Sequence, residues 1–452
     1  MYLRHFLHSF RFHHFTLVLM VMGFAACSLT ARQEAAEDKN QREVVTTDVS
    51  TDTTTDDSAT TSDDGAFADA FTKTALLEGI AQNVVFPGYE FALIKTKVLQ
   101  SSVQAYVTAL EAGDAATELV AAQEAWKAAA LAWQETELYQ FGPAADLGGV
   151  ATAMGAKGLR KQIYSWPLTN PCRVDQESLE NVFSAANYTM NELENVYGLD
   201  AIEYLLFNRE TTNACSSGHV VNNTEKEVHW AQLSDSDIRE RRAHHALALT
   251  KEVNRQVESL IFAWKPGGEN YMGSFTTAGN GSSLFGSVQL ALNDVTDALF
   301  YLDTLVKDKK LAKPAGIQDC TAASCEGYVE SLYARYSKEM LHANLVGFQK
   351  IFLGGKADVD AIGFDDYLVS VGAKDLAERM TKNIQIAVDE LSMMEGSLYG
   401  AAQSFSGNTC DTDEPELCAV YRKVKAVTDD LKTQFVNILD LELPQFAEGD
   451  ND

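Results

Sequence analysis

The spacing of apolar residues is the feature that most limits how this chain can fold. From residue 66 onward, apolar side chains recur three or four positions apart over long stretches, the pattern of helices that bury one face. The chain has only 8 prolines in 452 residues, and no convincing run of alternating apolar and polar residues indicates a strand. The sequence therefore predicts an all-α protein.

The helical pattern falls into two sets. The first predicts a short helix before a break at Pro87-Gly88, followed by helices at 91–110, 119–141, 178–197, from Asp200 onward, and at 235–264. The second predicts helices at 288–306, 328–352, 367–399 and 417–431. Between the sets, a stretch rich in Gly, Ser and Thr lacks periodicity and indicates a boundary. We therefore predict two tandem antiparallel helical bundles, with bundles at 66–265 and 284–445, a linker at 266–283 and a tail at 446–452.

Residues 1–26 have the features of a bacterial export signal. Arg4 and Arg11 precede a short apolar run, 15–26, that ends at Cys27. This run is shorter than the roughly 18 apolar residues expected of a membrane span. Residues 27–65 are rich in Thr and Asp and nearly free of large apolar residues, which predicts a disordered acidic tether.

Cys27 is the predicted site of lipid attachment. The stretch Phe24-Ala25-Ala26-Cys27 resembles a lipobox, in which the cysteine is acylated and becomes the new N-terminus, although leucine is usual where Phe24 stands. Ordinary cleavage nearby is the alternative. Ser28 resembles an outer-membrane address, so the prediction is an exported lipoprotein anchored on the periplasmic side of the outer membrane.

The cysteine count agrees with export. The chain has 7 cysteines, an odd number, and removing Cys27 as the lipid carrier leaves six that could form three disulfides in an oxidising compartment. Two pairs would close short loops and leave a third, which gives Cys320–Cys325, Cys410–Cys418 and Cys172–Cys215. Other connectivities are open at this point, and a metal–thiolate cluster is disfavoured because the spacings do not match zinc knuckles.

The formal net charge of −28 limits the classes of partner. Such a surface repels nucleic acid and anionic lipid headgroups, so no nucleic-acid partner is expected and the membrane is reached only through the lipid anchor. It attracts cations weakly and without selection, and most of these carboxylates serve solubility.

Asp200 and Glu203 are the main candidate site residues. They stand three positions apart in the apolar stretch 198–207, so on a helix they share one face. A carboxylate pair in such surroundings needs a cation or hydrogen-bond donors, and a metal ion or a substrate amine would serve. A capping box is the alternative, in which Asp200 caps the helix and Glu203 bonds back to the cap. The two interpretations are equally open.

Four further polar residues are candidates for the same cleft. Glu137 lies on an apolar stripe with Trp133, where a glutamate needs a partner, either functional or a simple salt bridge. In the second half, Glu330, Ser337 and Asn344 are seven residues apart and would share one helix face. That face would line the cleft from the other bundle or, as is more common, face solvent.

The stretch 198–207 resembles a motif of the imelysin family. That family carries Gly-x-His-x-x-Glu followed by a Leu-Leu-aromatic stretch, and here Gly198, Asp200 and Glu203 hold the motif positions. Other stretches resemble the family in the same order along the chain: Val84–Tyr89, Trp126, Glu137 and Phe141-Gly142-Pro143, Trp166-Pro167, Trp264-Lys265-Pro266, Lys313-Pro314 and Glu330–Gly355. The resemblance spans nearly all of the mature fold.

The resemblance implies a role in bacterial iron uptake, and the family is also filed among the peptidases. One departure affects the chemistry, because the family's histidine is Asp200 here. An Asp–Glu pair is a harder, acceptor-only ligand set that suits Ca²⁺, Mg²⁺, Mn²⁺ or ferric iron, and it lacks a near-neutral imidazole base. This substitution puts peptidase activity in doubt, and no His-Glu-x-x-His motif occurs in the chain.

Three hypotheses follow. The first is a binding protein that holds a divalent or ferric metal ion, or a metal-bearing ligand, at the junction of the bundles through Asp200 and Glu203, with Glu137 in support. Its partners would include an iron-uptake or periplasmic redox protein. The second is a metal-dependent peptidase with Glu203 as the general base and Asp200 as a metal ligand. The third is a docking lipoprotein without metal.

Overall fold

The computed structural model describes residues 71–147, 153–184, 194–322, 325–444 and 447. The predicted export signal, Cys27 and the acidic tether lie outside the described residues. All described residues belong to one compact unit, which spans Ser62–Asp452.

The described residues form helices and no strands, so the predicted all-α helical-bundle fold is confirmed. The α-helices are α1 (Lys73–Gly79), α2 (Phe86–Glu111), α3 (Ala116–Gln134), α4 (Leu159–Ile163), α5 (Pro171–Glu180), α6 (Gly198–Phe207), α7 (Asp235–Trp264), α8 (Tyr271–Thr276), α9 (Val288–Leu299), α10 (Ser337–Phe352), α11 (Phe364–Ser370), α12 (Lys374–Met393), α13 (Leu398–Ser404), α14 (Glu416–Asp430) and α15 (Val436–Ile438). Wider π-helical turns occupy Ile80–Val85, Leu302–Ala312 and Leu431–Phe435.

The break predicted at Pro87-Gly88 is wrong. Helix α1 begins after Thr72, whose hydroxyl accepts a hydrogen bond from the Ala75 N–H (3.0 Å), and the chain stays helical through the π-helical turn into α2. Pro87 is the second residue of α2 and directly follows the π-helical turn, so the residue without an N–H lies where the hydrogen-bond spacing of the helix changes. Three apolar residues of α2, Phe91, Ile94 and Val98, are exposed.

Helices α2, α3 and α7 pack together and form the core of the first half. Trp126, Trp133 and Trp264 are fully buried between them. Helix α10 packs against α3, and the second-half helices α12 and α14 pack in turn beside α10 and the π-helical turns. One continuous hydrophobic cluster includes residues of both halves, so the halves share a core.

Two sequence predictions of the first half need correction. The predicted helix at 178–197 instead ends at Glu180, where Asn181 adopts a left-handed conformation (φ 55°) that Asn tolerates and most other residues avoid. The predicted linker at 266–283 contains helix α8, and Tyr271 and Phe275 are buried in the shared core. The ring of Tyr271 lies 4.8 Å from that of Trp264, so aromatic packing orders this Gly-rich stretch.

The predicted disulfide pairing is confirmed. Cys172–Cys215, Cys320–Cys325 and Cys410–Cys418 are bonded, with sequence separations of 43, 5 and 8 residues. Cys172–Cys215 joins α5 to the loop after α6, which places it next to the segment that carries Asp200 and Glu203. In the described part of the chain, none of the helices is both long enough and apolar enough to span a bilayer.

Candidate carboxylate site

Helix α6 positions Asp200 and Glu203, and it begins earlier than a capping box would require. Tyr197 is the cap residue and its side chain makes no capping hydrogen bond, so Asp200 lies inside the first turn. Glu203 bonds to a loop of the second half and does not bond back to the cap. The capping-box alternative is therefore wrong.

Gly198 starts α6 in a left-handed conformation with φ +83°. A Cβ atom at this position would lie 2.7 Å from Oδ1 of Asp200 and 2.9 Å from the Ile163 carbonyl oxygen. Glycine is required here both by the backbone conformation and by the close approach of the Asp200 carboxylate.

Asp200 is buried and is held by neutral donors. Its Oδ1 accepts a hydrogen bond from the Ser165 N–H (3.3 Å), and its Oδ2 accepts from the hydroxyls of Ser165 (2.9 Å) and Thr169. Burial raises the pKa of Asp200 to about 6, although these hydrogen bonds to Thr169 and Ser165 favour the ionised form.

Glu203 is buried and reaches across to the second half of the chain. Its Oε1 accepts hydrogen bonds from the Ser331 hydroxyl (3.0 Å) and from the N–H groups of Tyr333 (2.9 Å) and Ala334 (2.8 Å). Burial, together with the nearby Asp200 charge, raises the pKa of Glu203 to about 8 against these bonds. Within the described residues, no basic side chain lies within salt-bridge distance of Glu203 or Asp200.

Both carboxylates line a cavity of about 340 Å³, which we name the carboxylate cavity. Its other walls include Glu330, the aromatic residues Trp166, Tyr204, Tyr328 and Tyr333, and the lysines Lys309 and Lys313. The hydrogen bonds that Glu203 makes to described residues all end on Oε1, so its Oε2 has no hydrogen-bond partner among them. The structure therefore places Asp200 and Glu203 at one cavity, and their role there stays a prediction.

Glu330 adds a third carboxylate to this cavity. Its Oε1 accepts hydrogen bonds from Lys310 Nζ (2.8 Å), Gln134 Nε2 (3.0 Å) and the Tyr164 hydroxyl (2.8 Å). Its buried Oε2 has no hydrogen-bond partner among the described residues. Burial raises the pKa of Glu330, and the charge of Lys310 opposes that effect.

Asn344 and Ser337 support the cavity from behind. Asn344 donates to the backbone carbonyl and side-chain oxygen of Gln134 (both 2.8 Å) and accepts from Lys310 (3.0 Å), while Ser337 Oγ accepts from the Ser331 N–H (2.8 Å). Helix α10 begins only at Ser337, so the prediction that Glu330 shares its face is wrong. These polar residues are buried together, and the solvent-facing alternative is also wrong.

Glu137 does not line the carboxylate cavity. It is fully buried, and its Oε1 accepts two hydrogen bonds from Arg160, at 3.0 Å from Nε and 2.5 Å from Nη2. Burial alone would raise its pKa, but the charges of Arg160 and Lys310 hold the pKa of Glu137 below its usual value. The structure therefore favours the salt-bridge interpretation for this residue.

Several residues that build the site are not evident from the sequence. Lys310 is fully buried, although it lies in a charged stretch, 307–310, that suggests an exposed surface. The π-helical turn Leu302–Ala312 directs it inward, and no simple spacing rule predicts such a turn. Ser165 and Thr169 flank the Trp166-Pro167 turn, and their proximity to a motif of the family was the available signal.

The site does not form a compact cluster of three metal ligands. Within the described ranges, the only three His, Cys, Asp or Glu side chains with ligand atoms within 4.8 Å of one another are Cys172, Cys215 and His219, and the two cysteines are disulfide-bonded. The carboxylate oxygens at the cavity suit a hard cation. Oxygens of Asp200, Glu203 and Glu330 do not all lie within 4.8 Å of one another.

Three comparisons relate this chain to known proteins. It is 24% identical over 289 residues to iron-regulated protein A of Synechococcus elongatus, a match that covers 64% of this chain and 66% of that protein, just under two thirds of its length. The fold is similar to that of a protein assigned as an iron-regulated protein A precursor from Parabacteroides distasonis, with a TM-score of 0.59, 15% identity and coverage of 80% of this chain and 93% of the other.

An imelysin-like protein from Psychrobacter arcticum is also similar, with a TM-score of 0.53, 17% identity and coverage of 83% of this chain and 97% of the other. At these identities the two solved structures support the fold alone. The sequence profile of the imelysin family, peptidase family M75, matches residues 85–427, which is most of the chain. This chain therefore belongs to the imelysin family.

Proposed function

We propose that this protein is an iron-related binding protein that takes up a hydrated metal ion or a metal-bearing ligand in the carboxylate cavity. One observation carries the proposal. Asp200 and Glu203 are buried side by side on one cavity wall, and no basic side chain of the described residues neutralises them. A cation in the cavity would supply the missing positive charge.

The donor set supports a hard cation. Glu203 and Glu330 each keep one carboxylate oxygen without a hydrogen-bond partner among the described residues, and both residues line the cavity. Carboxylate oxygens are the ligands that hard cations such as ferric iron, Mn²⁺ and Ca²⁺ prefer. The volume of about 340 Å³ also has room for water or a small chelating molecule around the ion.

Binding fits this site better than peptide hydrolysis does. The described cavity lining includes no histidine, and Asp200 stands at the position of the family's histidine. The relation to an iron-regulated protein supports an iron-related role. We extend the proposal to an exported, lipid-anchored protein of the periplasm, on the strength of the N-terminal sequence, with an iron-uptake or periplasmic redox protein as partner.

Elemental analysis of the purified mature protein after incubation with ferric citrate, and separately with MnCl₂ or CaCl₂, tests the proposal. We expect one ion to be retained per chain, and Glu203→Gln to lose it because the amide cannot supply a negative charge. Glu225→Gln, at an exposed glutamate, is the matched control and should retain the ion.

Two outcomes would argue against this function. The first is a mature protein that retains no stoichiometric metal from any of the three solutions. The second is equal retention by Glu203→Gln, which would show that the cavity carboxylates do not hold the ion. A metal-free protein with an unchanged fold would favour the docking lipoprotein.

A further inference from the structure

A second, larger cavity lies next to the carboxylate cavity. It has a volume of about 570 Å³, within the range of small-molecule sites, and we name it the Gln140 cavity. Trp166, Pro167, Lys309 and Asp319 line both cavities, so the two cavities adjoin at these residues. Asp200, Glu203 and Glu330 do not line the Gln140 cavity, which therefore presents a different set of chemical groups.

Gln140 is the first indication that a ligand belongs here. Gln140 is one of the residues that line the cavity and is only 1% exposed, and its buried Oε1 and Nε2 both lack a hydrogen-bond partner among the described residues. A buried amide without partners is costly, so it calls for a bound molecule that both donates and accepts. Gln140 directly follows the helical turn Glu137–Tyr139, which holds its backbone in place at the cavity.

Two aspartates without a basic partner are the second indication. Asp294 and Asp297 stand one helical turn apart on α9, and both line the cavity. Asp294 is buried and accepts a hydrogen bond from the Met154 N–H (2.8 Å). Burial raises the pKa of Asp294 to about 7, and burial together with the charges of Asp294 and Glu442 raises that of Asp297 to about 7.

The basic residues of the lining do not neutralise this pair. Arg160 is engaged by Glu137 at 2.5 Å, and Lys161 lies 3.5 Å from Asp146. Lys309, the third basic residue of the lining, is exposed. The cavity therefore keeps an excess of negative charge beside Gln140, and the ring of Tyr301 supplies an apolar wall.

We propose that the Gln140 cavity binds a small organic cation, an amine or guanidinium compound that also carries an amide-like hydrogen-bonding group. The cationic group would lie against Asp294 and Asp297, and the amide would exchange one donated and one accepted hydrogen bond with Gln140. This site is separate from the proposed metal site. Its ligand is an organic cation, since a bare metal ion would leave the Nε2 donor of Gln140 without an acceptor.

Isothermal titration calorimetry on the mature protein tests this with a matched pair of probes. 4-Guanidinobutanamide carries a guanidinium and an amide, and 4-ureidobutanamide has the same shape without the charge. We expect saturable binding of the first and at least tenfold weaker binding of the second. Gln140→Leu and Asp297→Asn should each weaken binding of the charged probe at least tenfold, and the exposed control Asp358→Asn should not.

Thermal unfolding separates a ligand-binding role of Gln140 from a structural one. Since its amide lacks partners, Gln140→Leu should leave the Tm unchanged or raise it while binding is lost. A clear fall in Tm would show that the amide is satisfied within the free protein and would contradict the proposal. No saturable binding at millimolar probe, or equal binding of the neutral probe, would overturn it, and Asp297→Asn gives this answer even if Gln140→Leu fails to fold.

Discussion

At the scale of the residue, Glu203 shows how burial sets acidity. Three neutral donors hold one of its oxygens, and no basic side chain of the described part of the chain neutralises it, so removal from water raises its pKa to about 8. Near neutral pH this carboxyl group is therefore protonated or paired with a bound cation. A cation that binds here would displace a proton.

Replacing Glu203 with Gln should make stability less dependent on pH. In the metal-free protein the pKa of Glu203 is raised from 4.5 to about 8, so ionisation opposes folding. The stability that protonated Glu203 contributes is fully present below pH 4.5 and is lost as the pH rises towards about 8. Gln keeps the accepting oxygen and does not ionise, so the variant should gain on the order of a few kcal/mol relative to wild type across this range.

Urea unfolding at a series of pH values measures this difference. Glu225→Gln, at an exposed position, should follow the wild type at every pH. A difference between Glu203→Gln and wild type that stays constant with pH would show that Glu203 does not titrate as its burial implies.

Asp200 and Glu203 could be predicted as a pair because their spacing on a helix and their apolar surroundings are visible in the sequence. The donors that hold Glu203 could not be predicted, since Ser331, Tyr333 and Ala334 lie about 130 residues away. Two of them act through backbone N–H groups, which carry no sequence signal. For Glu137 the pattern showed burial, but its Arg160 partner is set by tertiary packing.

At the scale of the element, the start of α6 depends on one glycine. Gly198→Ala should lower the free energy of unfolding for two reasons. The residue has φ +83°, and its new Cβ would meet Asp200 and the Ile163 carbonyl. Gly113→Ala is the matched control, because Gly113 has φ +93° with nothing within 4 Å of its Cβ. We expect a loss of about 1 kcal/mol for Gly113→Ala and about 3 kcal/mol or more for Gly198→Ala.

Chemical denaturation of both variants measures their losses of unfolding free energy. Metal retention by Gly198→Ala shows whether the clash also moves Asp200. Equal losses of stability would mean that the backbone conformation alone requires glycine at the start of α6. In that case the close approach of the carboxylate would have no energetic importance.

Helix positions were predicted well where the pattern of apolar spacing was long. They were predicted poorly where local backbone features set the helix boundaries. The range 235–264 matches α7 because Ser234 supplies a capping box and the apolar pattern is continuous. The end of α5 at Asn181 and the unbroken passage through Pro87 depend on a left-handed residue and a π-helical turn. Neither feature changes the average apolar spacing, so the sequence pattern did not reveal them.

At the scale of the whole molecule, the all-α class followed from periodicity, but the packing of the halves did not. The Gly-rich stretch at 266–283 looked like a linker, while its aromatic residues Tyr271 and Phe275 are buried in the shared core. A glycine-rich composition indicates a flexible backbone. The apolar area that a few large side chains bury can stabilise the stretch enough to outweigh that flexibility.

The disulfides should stabilise the molecule more when they close longer loops, with a dependence on the logarithm of loop length. Removing Cys172–Cys215, which spans 43 residues, should cost about 4 kcal/mol, and removing Cys320–Cys325, which spans 5, about 2 kcal/mol. Double Cys→Ser variants of each pair, compared by chemical denaturation, measure both values. The reverse order would show that native-state packing, and not loop closure, decides the contribution.

The hydrogen bonds from Tyr333 and Ala334 to Glu203 join positions about 130 residues apart. The carboxylate cavity therefore has no complete wall until the late part of the chain has been made and has docked onto the early part. A nascent chain that stops before Ser331 lacks the donors that hold Glu203 in place. Any capacity of this protein to capture a ligand at that cavity is thus acquired only at the end of its synthesis and folding.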